Sequence, residues 1–76
     1  MNKERRKQIS SVVDAINVAL EAVRDISAEE QDAFDAMPEG LQDSERGQAS
    51  SEAASAIEEA VGMLEESMDL LDRASE

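Results

Sequence analysis

Met37-Pro38-Glu39-Gly40-Leu41-Gln42-Asp43-Ser44 lies at the middle of a 76-residue chain that is otherwise rich in helix formers. Proline cannot continue a helix by donating a hydrogen bond, and glycine permits the turn conformations that other residues avoid. The stretch therefore reads as the break between two helices, with a turn over residues 38–43. Leu41 is expected to tuck back onto Phe34 or Met37 and close the end of the core. Ser44 is a natural N-cap for the second helix, with Glu45 in its first turn. Gly47 weakens that turn, which leaves a start as late as Ser50 or Ser51 open.

Working back from the break, Ile9, Val13, Ile16, Leu20 and Val23 recur at intervals of 4, 3, 4 and 3. This is the spacing of a helix that packs along one seam. Val12, Ala19 and Ile26 widen the stripe, and the phase continues through Ser27 and Glu30 to Phe34 and Met37. The reading is one long helix from about residue 2 to 37. Ser27-Ala28-Glu29-Glu30 also has the form of a capping box, so a kink there is an alternative. Working forward, Ala53, Ile57, Ala60, Leu64, Ser67, Leu71 and Ala74 repeat the interval. They define a second helix over about 44–75, flanked by Ala54, Val61 and Met68. Two helices of roughly 30 residues, about 45 Å each, joined by a short loop predict an all-α fold: a single antiparallel helical hairpin over residues 1–76.

The charged ends support that topology. Lys3, Arg5, Arg6 and Lys7 start the first helix, while Glu65, Glu66, Asp69, Asp72 and Glu76 close the second. Each cluster opposes its own helix dipole, and an antiparallel pair sets them side by side. A hairpin also leaves part of a wide apolar stripe uncovered. The expected remedy is a homodimer forming a four-helix bundle, with Val12, Ala19, Ile26, Val61 and Met68 as candidate dimer seam.

Composition removes most chemistry. The chain has no cysteine and no histidine, and Phe34 is its only aromatic residue. Disulfides, thiolate sites, the commonest metal ligand and the commonest acid/base group near neutral pH are all missing. Carboxylates are the only abundant reactive groups. Glu58, Glu65 and Asp72 lie seven apart, off the apolar seam, without the histidines that carboxylate di-metal bundles add. Asp32-Ala33-Phe34-Asp35 lacks the ligand pattern of a calcium loop. The serines have no histidine to activate them, and the three glycines form no phosphate loop. No catalytic residues, cofactor or metal are expected. No apolar run is long enough for a membrane span or a signal peptide, so the expected location is cytoplasmic.

The charge is lopsided. Nineteen acids against seven bases give a net −12, and from Gln8 onward eighteen acids face only Arg24, Arg46 and Arg73. Such a body repels nucleic acid and anionic membrane and suits a basic protein partner. Glu58, Glu65, Asp69, Asp72 and Glu76 form a candidate acidic face. Asp14, Glu21, Asp25, Asp32 and Asp35 lie on the first helix. Carboxylates three or four residues apart on a helix sit roughly 5–6 Å apart, close to phosphates along a strand, so one reading is mimicry of a nucleic-acid backbone. The other is a solvated face that keeps the protein soluble.

The central segment Glu29-Glu30-Gln31-Asp32-Ala33-Phe34-Asp35-Ala36-Met37-Pro38-Glu39-Gly40-Leu41-Gln42-Asp43-Ser44-Glu45-Arg46-Gly47 resembles a group of short, acidic, phage- and prophage-type helical proteins. That group carries an EEQ-x-AF-D-x-LP-E-GLQ-x-SERG signature. Met37 stands where leucine is more usual, and Ala49–Ala56 is less charged than the resemblance suggests. The likeness implies provenance and a helical fold and brings no activity with it. In physical terms Phe34, Met37, Pro38, Gly40 and Leu41 build the closed end of the hairpin, with Arg46 beside it. That closure is either an exacting structural element or a docking site. Three roles follow: a phage-associated, self-associating hairpin that binds a protein; an acidic inhibitor of a nucleic-acid-binding or defence protein of the host; or a structural assembly accessory.

Overall fold

Asn2 is extended, and its side-chain oxygen accepts a hydrogen bond from the Arg5 N–H at 2.8 Å. That satisfies one of the donors a helix N-terminus leaves without an internal partner. In the computed structural model, which describes residues 1–76, the helix that begins there, α1, spans Lys3–Asp35 without a break. The capping box at Ser27–Glu30 lies inside it and does not restart the helix. The end comes at Asp35, where the Met37 N–H turns back to Phe34 O at 3.1 Å. The expected turn holds a single helical turn of its own, α2 (Glu39–Gln42), and the second long helix, α3, spans Glu45–Ala74. The two long helices pack antiparallel into a rod 58 × 15 × 12 Å.

Within α1 and its C-terminal extension, every residue that is not exposed lies on one row: Ile9, Val13, Ile16, Leu20, Val23, Ser27, Glu30, Phe34 and Met37. This is the predicted seam in its predicted phase. In α3 the corresponding row is Gly47, Ser50, Ala54, Ile57, Val61, Leu64, Met68 and Leu71, continued by Ser75. Here the structure corrects the sequence expectation. Ala53, Ala60, Ser67 and Ala74 are exposed, and their neighbours Ala54, Val61 and Met68 face α1 instead. Val61 and Met68 are therefore half-buried on the hairpin's own seam, off the face that carries Val12, Ala19 and Ile26. Both rows have helical spacing and share Ile57, Leu64 and Leu71. The row with valine and methionine wins because it removes more apolar surface from water.

The core is thin. Leu20, near the middle of α1, is 1% exposed, and Ala54 is the only other buried apolar residue. Toward the turn the seam becomes polar on both sides. There the Ser50 hydroxyl donates to Glu30 Oε1 at 2.9 Å across the helix pair. The polar interruption of α1 thus meets a polar, small-residue stretch of α3.

The turn itself departs from expectation in two ways. Leu41 does not tuck in; it remains 53% exposed. Gln42 closes the hairpin instead, its side-chain amide donating to Phe34 O at 3.2 Å and Met37 O at 3.3 Å. Phe34 O is among the last carbonyls of α1, and Met37 O lies just past its C-cap. Nor does the turn require glycine at position 40, since no residue in the chain has a positive φ and a side chain at Gly40 would meet open space. The glycine that matters is Gly47. It is buried, and a Cβ there would overlap the backbone carbonyls of Leu41 and Gln42. Ser44 caps α3, accepting from the Gly47 N–H at 3.2 Å while its hydroxyl donates to Leu41 O. The start at Glu45 therefore stands because glycine lets the first turn of α3 press against α2.

Candidate interaction surfaces

The seam rows divide the rest of the hairpin surface simply. In an antiparallel pair, the residues one position after each seam residue lie on one broad face of the rod. The residues one position before lie on the opposite face. The Arg24–Glu65 ion pair, 3.4 Å between Nη2 and Oε2, joins two "after" positions and fixes that face across both helices. Two shallow grooves fix the other. Arg5, Gln8 and Val12 line one beside Leu71, and Ala33 and Ala36 line the second beside Arg46.

The first face is acidic. On α3 it carries Glu58, Glu65, Asp69, Asp72 and Glu76, all exposed, so the five candidate acids do share one surface. Asp14, Glu21 and Asp35 of α1 join them there. Asp25 and Asp32 instead occupy the outer edge of α1. The only base on this face is Arg24, and its pair with Glu65 leaves both side chains about half exposed. A pair so wet contributes about 0–1 kcal/mol. It is the only ion pair in the chain: the Lys3–Lys7 bases share the terminal end with the α3 acids without closing a contact within 4.0 Å.

The opposite face is apolar. Val12, Ala15, Ala19, Ala22 and Ile26 run along α1, and Ala49, Ala53, Ala56, Ala60, Met63, Ser67, Leu70 and Ala74 run along α3. Between Gln8 and Ala74 its only charges are Glu29 and Arg46, both near the turn. Seven large apolar side chains are substantially exposed in the protein. Val12, Ile26, Met63 and Leu70 lie on this face, while Met1 and Leu41 line its two end grooves. Only Val18 points elsewhere. Val12, Ala19 and Ile26, the α1 half of the candidate dimer seam, fall here. Their α3 counterparts are Ala60 and Ser67, which the 4, 3, 4, 3 spacing places on the seam, and Met63 and Leu70, which lie off it. The missed signal was the second row of apolar residues one position before the true seam.

The closure residues Phe34 and Met37 are half-buried, while Pro38, Gly40, Leu41 and Arg46 are exposed. Met37, Pro38, Leu41 and Arg46 line the turn-end groove of the apolar face, so closure and face are continuous. No group of three or more carboxylates is placed to hold a metal ion, and no helix is long and apolar enough to cross a membrane. Compared with family models, curated proteins and solved structures, the chain matches none.

Proposed function

We propose that this chain is a non-enzymatic interaction protein, a phage- or prophage-type helical hairpin that acts by binding another protein while associating with itself. One observation carries the proposal: a single rod presents two long faces of opposite character, one apolar and one acidic. Two open grooves at the rod's ends do not assemble the enclosed, polar-tipped site that catalysis needs. Two chemically distinct faces suit two simultaneous contacts. The acidic face is the surface for a basic partner.

A narrower reading within this proposal is mimicry of a nucleic-acid backbone, which would direct the chain to a nucleic-acid-binding protein of the host. It is favoured by eight acids against one base on the Glu58–Glu76 side of the rod. Salt separates the two. Capture from host lysate with the tagged full chain, washed at rising ionic strength, should release a charge-driven partner steeply. Glu58→Lys combined with Glu65→Lys should abolish that capture. A partner that survives high salt and ignores the double reversal would rule out mimicry. It would move the docking site to the apolar face or the Phe34–Leu41 closure.

A further inference from the structure

The proposed self-association leaves open which surface takes the second copy and how the two rods lie. We infer that a second copy docks on the apolar face with the rods antiparallel, α1 against α1 and α3 against α3, about a two-fold axis near Ala19 and Ala60. This rests on the self-association proposed above and deepens it.

Charge selects the face. On a chain of net −12, two acidic faces cannot meet without setting carboxylates against each other, and like charges across an interface cost several kcal/mol. The apolar face is the one long surface nearly free of acids. Its extent also suffices. A footprint bounded by 58 and 15 Å is of the order of the roughly 800 Å² per partner that a stable interface buries. A chain this small with two buried apolar residues gains most of its missing core in this way.

Charge also selects the direction. Residues 29–52, the turn end, hold eight acids and one base, a formal −7. Residues 1–12 together with 68–76, the terminal end, hold five bases and four acids. Parallel rods would put both turn ends together. Antiparallel rods set each acidic turn end against the other copy's Lys3–Lys7 cluster.

Side-chain size fits the same arrangement. The midpoint of Lys3–Asp35 is Ala19, and the midpoint of Glu45–Ala74 lies between Glu59 and Ala60. With full overlap, Val12 of one copy comes opposite Ile26 of the other. Met63 comes opposite Ala56 and Leu70 opposite Ala49, so along α3 each large side chain meets a small one. Alanines at the centre let the backbones approach.

The test uses the full chain. Wild type should have dimer mass by light scattering at high micromolar concentration. Ala60→Glu should weaken dimerisation about a hundredfold, the effect of several kcal/mol of repulsion, while Val18→Glu on the outer edge leaves the mass unchanged. Because the chain has no cysteine, Ala19→Cys provides a second readout that needs no destabilising change. It should form a disulfide-linked dimer on mild oxidation, and Val18→Cys should not. A monomeric wild type would overturn self-association itself. A wild-type dimer indifferent to Ala60→Glu would overturn only the assignment of the face. Cross-linking of Ala19→Cys to Ala60→Cys in preference to itself would overturn the antiparallel stacking.

Discussion

From Ile9 to Val23, α1 meets α3 through isoleucine, valine and leucine, opposed by Ile57, Val61, Leu64, Met68 and Leu71. From Ser27 to the turn the same row carries Ser27 and Glu30 before Phe34 and Met37 close it, opposed by Ser50, Ala54 and Gly47. The terminal half is held by apolar burial. The turn half has less apolar burial and adds directed contacts: the Ser50–Glu30 hydrogen bond, the Gln42 amide on Phe34 O and Met37 O, and the Ser44 cap. Burial is tolerant of detail, whereas hydrogen bonds and close backbone contacts require particular residues at particular positions. A fold of this kind can vary along its seam but needs its turn residue by residue.

The largest effect should come from the terminal half. Leu20→Ala empties the one fully buried side chain and should cost about 3 kcal/mol. For a domain this small that lowers Tm by roughly 12 °C or more, followed by circular dichroism at fixed protein concentration. A fall of only a degree or two would show that the seam is not the hairpin's main support.

Gly47→Ala should cost about 2 kcal/mol, because the added methyl must displace backbone carbonyls and not a flexible side chain. Gly62→Ala makes the contrast sharp. Position 62 is helical, exposed and open, so alanine should stabilise by up to about 1 kcal/mol. Equal effects of the same sign at the two glycines would break the distinction between the halves.

Gln42→Ala removes two hydrogen bonds to half-buried carbonyls and should cost about 1 kcal/mol. Gln42→Glu should be no better, since a carboxylate cannot donate to either oxygen. The smallest effect belongs to Arg24→Gln, less than about 0.5 kcal/mol, because both partners of its ion pair are half exposed. A loss as large as that of Gln42→Ala would mean the acidic face is more structural than its exposure implies.

Much of the fold was legible without coordinates. The two long helices, the break near Pro38, the cap at Ser44 and the entire α1 seam follow from spacing and turn chemistry. The acidic face was legible as a face because its five candidates share a helical phase. The α3 seam was not. Ala53/Ala60/Ser67/Ala74 and Ala54/Val61/Met68/Ser75 differ by one position, and the alternation of three and four fits either row. The role of Gly47 was also hidden, because a glycine in a first helical turn reads as weakness until the neighbour it accommodates is known.

The sequence by itself determined that this chain is helical, where its helices break, that it carries no histidine or cysteine chemistry, and that it is strongly acidic. Those properties depend on residue type and local spacing. Only the tertiary structure decided that Val61 and Met68 belong to the core, that Gln42 and not Leu41 closes the hairpin, and that the remaining surface separates into an acidic and an apolar face. Those depend on which side of α3 turns toward α1. That rotation is settled by the burial it achieves along the whole pair, which no local interval encodes.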